Sequence, residues 1–222
     1  VNAPESGVAN TPIEFCVANI TAAETYDLFD LLTDEDQAGT WNDDDGSGAL
    51  SGNLVTLDGL SPATYNFTYD VDAIGTCDDI NVTVSIIIND TPAPGATTPQ
   101  EFCDTATVAD LVATGTTIQW YDAVTGGNLL AEATALVDAQ IYYTTQTDAT
   151  TGCESSVRTA VTAIIYQSPI AGAPNATAIV SCTDNNSIDL FTGLDGTEDA
   201  RGTWTNDNSV GNLAGNVFDA TG

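Results

Sequence analysis

The feature that most constrains this chain is an internal repeat. Residues 41–53 and residues 204–216 align without a gap. Trp41 meets Trp204, Asp44 meets Asp207, Gly48 meets Gly211, Leu50 meets Leu213, Gly52 meets Gly215 and Asn53 meets Asn216. Gly39-Thr40 and Gly202-Thr203 precede the two tryptophans. Upstream, Asp27-Leu28-Phe29 matches Asp189-Leu190-Phe191, and Cys16 matches Cys182. These are two copies of one module, type A. A different module, type B, lies between them, bounded by the Pro/Gly/Ala-rich stretches 91–95 and 168–174. Proline stiffens a linker and cannot join a central strand, so these stretches are natural boundaries. The expected domains are residues 1–92 (type A), 93–169 (type B) and 170–222 (the N-terminal part of a second type A copy). The second copy reaches Gly222, which aligns with Gly59; in the first copy Cys77 follows. Cys182 is therefore expected to have its partner beyond residue 222.

Strands are read from period-two alternation of aromatic or β-branched residues with polar ones. Tyr65, Phe67 and Tyr69 alternate with Asn66, Thr68 and Asp70. Ile80, Val82, Val84 and Ile86 alternate with Asn81, Thr83 and Ser85. In module B, residues 116–121, 139–147 and 157–166 read as strands. Asp58-Gly59, Gly126-Gly127 and Thr151-Gly152 are turn signals. Residues 25–32 and 106–113 fit either a helical turn or a short strand. Short strands at regular spacing predict an all-β chain of tandem β-sandwich repeats.

Each complete module has two cysteines on either side of a tryptophan: Cys16, Trp41, Cys77 in A and Cys103, Trp120, Cys153 in B. That order resembles immunoglobulin domains, where a tryptophan packs on an inter-sheet cystine. The resemblance implies one intradomain disulfide per complete repeat, Cys16–Cys77 and Cys103–Cys153. Pairing across modules is the alternative, and it would tie together domains that otherwise read as independent.

Module B carries Glu101-Phe102-Cys103, Ala109-Asp110-Leu111, Ile118-Gln119-Trp120-Tyr121-Asp122, Thr125-Gly126-Gly127, Tyr142-Tyr143 and Gly152-Cys153-Glu154-Ser155. As a combination these resemble the Ig-like repeats of very large Bacteroidetes surface proteins. The type A modules resemble, more weakly, the PKD-like or Ig-like repeats found beside them. The resemblance implies export by type IX secretion and a place on the bacterial cell surface, outside the outer membrane. It also implies a stalk or filament segment of a large adhesin, in gliding motility or surface attachment. The alternatives are a glycan- or protein-binding module and an accessory domain of a secreted hydrolase. The expected partners are neighbouring repeats of the same chain, surface polysaccharide or other cell-surface proteins.

Composition narrows the chemistry. There are 32 acidic residues against two basic ones, Arg158 and Arg201, with no His and no Lys, giving a formal charge of −30. Such a chain repels nucleic acid, whose binding requires cations to displace counterions. It is equally unsuited to anionic membrane surfaces, and residues 82–88, its most apolar run, are too short to span a bilayer. A Ser–His–Asp, Cys–His or Ser–Lys site cannot be built without His or Lys, so the expectation is a protein without enzymatic activity. Without histidines or a CxxC pair, zinc is not expected either. Residues 1–7 read as a linker, so an export signal is expected to lie outside this segment.

Three further readings concern particular residues. Asp43, Asp45 and Ser47 stand at alternate positions of a Gly-rich loop and are calcium candidates, with hard oxygen ligands on a flexible backbone. The competing reading is a polar turn, and no other cofactor is expected. Asp104-Thr105-Ala106 resembles the Bacteroidetes O-glycosylation motif, which makes Thr105 a candidate acceptor. Trp41, Trp120 and Trp204 are read as core residues rather than sugar platforms, since matched positions across copies favour packing.

Overall fold

Alternation of apolar and polar residues builds the longest strands, and the first part of the chain is assembled on them. The structure is a computed structural model that describes residues 5–36, 39–72, 78–177, 179, 187–209 and 211–219. Cys77 and Cys182 lie outside the described residues. The chain divides into two compact units, Val1–Ile165 and Tyr166–Gly222.

The type A part of the first unit contains β1 (Ser6–Ala9), β2 (Ile13–Cys16), β3 (Thr25–Asp27), β4 (Leu32–Glu35), β5 (Thr40–Asp43), β6 (Leu50–Ser51), β7 (Leu54–Thr56), β8 (Ala63–Val71) and β9 (Ile80–Asn89). The sheet order β2-β9-β8-β5 carries most of the core, with a three-stranded sheet β3-β7-β6 and the pair β1-β4. β8 and β9 are antiparallel, with Phe67 opposite Val84 and Tyr65 opposite Ile86. Phe67, Tyr69, Val71, Val84, Ile86 and Ile88 point inward and are buried. Burial of one such side chain stabilises by roughly 1.5–3 kcal/mol. The other face is a polar ladder: Thr68 Oγ1 lies 2.8 Å from Thr83 Oγ1, and Ser85 Oγ donates to Asn66 Oδ1 at 2.8 Å. Residues 25–32 resolve as both of the elements their pattern allows. β3 ends at Asp27, whose carboxylate caps a 3-10 turn at Leu28–Leu31 by accepting from Phe29 N–H at 3.0 Å.

The type B part contains β10 (Gln100–Cys103), β11 (Gln119–Tyr121), β12 (Ile141–Thr145) and β13 (Thr159–Tyr166), in sheet order β10-β13-β12-β11. The three strands expected here exist, each trimmed at its N-terminal end and β12 at its C-terminal end as well. Residues 106–113 supply a single 3-10 turn, Val108–Asp110, where Asp110 accepts from Thr107 N–H at 2.7 Å. A second apolar cluster, built around Trp120, Tyr142, Val161 and Ala163, forms within this part. Gly126 and Gly127 both take left-handed backbone (φ 60° and 71°), so they alone of the common residues make this turn without strain.

The second unit contains β14 (Ser187–Asp189), β15 (Asn212–Ala214) and β16 (Val217–Asp219), in sheet order β14-β16-β15. This repeats β3-β7-β6, down to a carboxylate-capped 3-10 turn at Leu190–Gly193.

The described residues are all-β apart from 3-10 turns, as the alternation predicts. The cysteine pairing is not as expected. The structure joins Cys16 to Cys153, with Cα atoms 5.4 Å apart, and leaves Cys103 unpaired and exposed. Cys16–Cys77 and Cys103–Cys153 are therefore corrected to one bond between the type A and type B parts. The cause is topological. β2 runs parallel to β9 with Cys16 opposite Asn89, so Cys16 sits where the chain leaves the first part, at its edge and not in its core.

Candidate functional site

The junction between the type A and type B parts is the most constrained polar site in the first unit. β9 delivers the chain to Asp90, and the next residues are fixed one after another. Thr91 Oγ1 donates to the Cys153 carbonyl at 2.8 Å, in a buried bond. Asp90 accepts from Ser156 N–H at 3.3 Å and from Ser156 Oγ at 3.1 Å. Gln146 Nε2 donates to the Pro92 carbonyl at 2.7 Å, and Thr159 Oγ1 donates to the Pro94 carbonyl at 2.6 Å. The Pro-rich stretch that reads as a spacer is thus laid along the type B part. With Cys16 held beside Asn89, and Cys153 held to Thr91, the cystine closes across the same few residues.

The aromatic clusters show how the tryptophans are used. Trp120 is buried in the second apolar cluster. Trp41 packs on Phe29 (centroids 5.6 Å) and Tyr69 (4.9 Å), with Phe29 edge-on to Tyr69 at 5.3 Å. The tryptophan of the type A part therefore rests on aromatic rings, where the immunoglobulin pattern would place a cystine. Tyr69 also fixes the turn before β5: its hydroxyl accepts from Gly39 N–H at 2.7 Å and donates to the Asp36 carbonyl. Trp204 meets Phe191 at 5.6 Å, as Trp41 meets Phe29.

Of the calcium candidates, Ser47 meets Asp43 and Asp45 turns away to β8, while Asp43 Oδ1 is buried without a hydrogen-bond partner among the described residues. Asp43 Oδ2 accepts from Ser47 Oγ at 2.8 Å and Gly48 N–H at 2.9 Å, closing its own loop. Partial burial works to raise its pKa, but the Ser47 hydroxyl and the surrounding backbone N–H groups outweigh that and lower it. Asp45 turns to β8 and accepts from Asn66 N–H at 2.7 Å, while Asp44 accepts from Thr68 Oγ1 at 2.7 Å. These donors do the work of a polar turn pinned to β8. Among the described residues no group of three or more His, Cys, Asp or Glu could hold a metal ion.

Elsewhere too, carboxylates are satisfied by hydroxyl and amide donors. Asp122 is lowered in pKa by the backbone and side-chain N–H groups of Asn128, and Asp148 by the backbone N–H groups of Thr151 and Thr150. The Arg158 guanidinium lies 3.6 Å from the Tyr121 ring centre and donates to the Ala123 and Gly126 carbonyls at 2.6 and 2.7 Å. It clips the Gly126-Gly127 turn to β11. The glycosylation candidate Thr105 is exposed, and its N–H donates to the Cys103 carbonyl at 2.8 Å across Asp104, which has φ 62°. Sequence reasoning missed Asp90, Thr91 and Ser156, whose roles exist only once the two parts are docked.

Residues 92–166 match the family described as "Ig-like domain CHU_C associated". Over these residues the chain is similar to an Ig-like domain type associated with Bacteroidetes gliding-motility and cell-surface proteins. No curated protein matches the chain. Among solved structures it is similar to Drosophila N-cadherin EC1-4, at 11% identity and a TM-score of 0.25. That alignment covers 74% of this chain and 51% of the cadherin chain, so the chain spans about half the length of that structure.

Proposed function

We propose that the chain is a load-bearing spacer from a large secreted cell-surface adhesin, built of type A, type B and type A repeats, with no catalytic role. The observation that supports this reading best is the position of the Cys16–Cys153 bond. When a chain is pulled from its two ends, force follows the shortest covalent path. Here that path runs to Cys16, through the two sulfurs and on from Cys153. The intervening stretch, which includes every buried residue of the first apolar cluster, lies inside the closed loop, whereas Val161 and Ala163 of the second lie on β13, outside it. Tension therefore bypasses the β8–β9 hairpin and the core it carries while the bond is intact, and loads the type B part through β13. The sequence separation of 137 corresponds to roughly 450–490 Å of extended chain withheld from stretching. The Ig-like family of residues 92–166 supports the surface setting. The acidic charge keeps neighbouring segments apart and soluble.

Single-molecule stretching of the whole chain tests this. The oxidised chain extends only through the residues outside the loop, and reduction adds a further gain of about 450–490 Å. Release of that length from the oxidised chain would remove the load-bearing reading. Retention on glycan arrays with no such bypass would favour a binding module instead.

A further inference from the structure

Asp58-Gly59 reads as a turn in the sequence, and the force path through Cys16–Cys153 makes no use of it. The chain contains three such pairs, Asp45-Gly46, Asp58-Gly59 and Asp195-Gly196. An aspartate followed by glycine carries a latent reaction, because no Cβ shields the glycine nitrogen from the aspartate side chain. The nitrogen attacks the side-chain carboxyl carbon. A C–N bond forms, the carboxyl hydroxyl leaves with the amide proton as water, and a five-membered imide results. Water then adds at the former main-chain carbonyl, and the bond from that carbon to nitrogen breaks. The backbone now runs through the side-chain carboxyl, as isoaspartate. One water is lost and one regained, so the step needs no oxidant, reductant or further reactant.

The three glycines offer the same opportunity. Gly46, Gly59 and Gly196 have left-handed backbone (φ 65°, 85° and 81°), all are exposed, and open space surrounds the position a Cβ would take. The aspartates differ. Asp45 Oδ2 accepts from Asn66 N–H at 2.7 Å and from Asn66 Nδ2 at 3.2 Å, which pins it to β8. Its nucleophile is also engaged, since Gly46 N–H donates to the Asp43 carbonyl at 3.4 Å. Asp195 Oδ1 accepts from Thr197 Oγ1 at 2.7 Å, Thr197 N–H at 3.1 Å and Ala173 N–H at 3.3 Å. The Thr197 hydroxyl and the backbone N–H groups hold its pKa down, so the neutral acid, which loses water most readily, is scarce there. Asp58 is held less. Among the described residues its carboxylate has one long bond, accepted by Oδ2 from Ala23 N–H at 3.2 Å, and Gly59 N–H has no acceptor.

We propose that Asp58 is a site of spontaneous isoaspartate formation in the folded chain, ahead of Asp45 and Asp195, because its carboxyl is the least held of the three. The turn it occupies joins β7, which ends at Thr56, to β8, which begins at Ala63. There Leu60 N–H donates to the Leu57 carbonyl at 3.1 Å, and Leu57 is buried in the first apolar cluster. The product has one more methylene in the main chain at this turn, and the former main-chain carboxyl becomes the free acid. The charge is kept, but the path from Leu57 to Leu60 lengthens and the acceptor of Ala23 N–H moves. The modification therefore loosens the joint between the sheet β3-β7-β6 and the β8–β9 hairpin while the chain stays continuous. The inference goes beyond the spacer reading and stands without it, since a chain joined through other cysteines would react at the same turn.

The test ages the oxidised 222-residue chain in neutral buffer, folded and in concentrated urea. Isoaspartate at each pair is followed by peptide mapping, through the chromatographic shift at unchanged mass and enzymatic methylation of the isoaspartyl carboxyl. In the folded chain the Asp58 peptide should convert about tenfold faster than those of Asp45 and Asp195, as for one or two fewer hydrogen bonds to release. In urea the three should convert alike. Thr197→Val, which removes the principal donor to Asp195, should speed conversion at Asp195 and leave Asp58 unchanged. Equal conversion at the three pairs of the folded chain overturns the proposal, as does a lead for Asp45 or Asp195. A lead for Asp58 that is just as large in urea also overturns it, because the preference would then belong to the sequence and not to the fold.

Discussion

Leu28 and Leu190 begin the same capped turn in the two type A copies, yet Leu28 is completely buried and Leu190 is not. The local hydrogen bonds are the same in both places, so they do not make the core. What differs is β8 and β9, which lay Phe67, Tyr69, Val84 and Ile86 over the small sheet in the first copy. A capped turn and a three-stranded sheet form from short-range chemistry; burial needs the long hairpin that arrives later in sequence. The comparison also explains why β5 is a strand and residues 203–206 are not: an isolated segment has no ladder to join.

Breaking the closed unit should have the largest effect. On the loop-entropy account, a bond closing a loop with a sequence separation of 137 stabilises by about 5 kcal/mol. Cys16→Ser with Cys153→Ser should lower the denaturation midpoint of the first unit accordingly, while exchange within residues 187–219 is unchanged. Equal loss in both units would contradict a bond that acts on the first unit alone. Next in size, Tyr69→Ala in the first module should cost about 3–5 kcal/mol, as for a buried aromatic. It should also speed exchange at Thr40–Asp43, which pairs with β8. A smaller effect is expected at the caps. Asp27→Ala should cost about 1 kcal/mol by chemical denaturation, as for loss of a capping side chain. Asp189→Ala should register only as faster local exchange, because no core depends on it.

The smallest expected effect is that of acid, and it should not distinguish the copies. Asp43, Asp122 and Asp148 in the first unit and Asp195 in the second all have pKa values lowered by donors that surround them. At Asp195 the Thr197 hydroxyl is the principal cause. A group with a lowered folded pKa binds its proton more readily when unfolded, so its contribution is present above the unfolded value and lost as pH falls through the folded one. Melting followed from pH 7 downward should therefore be flat until about pH 4 and decline below it. A decline beginning near neutrality would contradict the hydrogen-bonding described for these carboxylates.

Much of the fold is legible in the residues, because alternation is local. The run from Tyr65 to Asp70 and the run from Ile80 to Ile86 specify strand and face together. The Asp43–Ser47 loop was legible as either ligand or turn, and the choice depended on where β8 would lie. The cystine was not legible. Cys16 and Cys77 stand on either side of Trp41 in the order of an immunoglobulin pattern, but pairing is decided by β2 lying parallel to β9, a contact between residues far apart in sequence. No local signal marks Asp90, Thr91 or Ser156, which acquire their roles from that docking.

The force path proposed for the first unit turns on which cysteines are joined. Proteolysis of the oxidised, alkylated chain followed by non-reducing peptide mapping decides it. The account predicts a linked peptide pair containing Cys16 and Cys153, with Cys103 not joined to either. Linked pairs containing Cys16 with Cys77, and Cys103 with Cys153, would contradict it and remove the covalent bypass between Cys16 and Cys153.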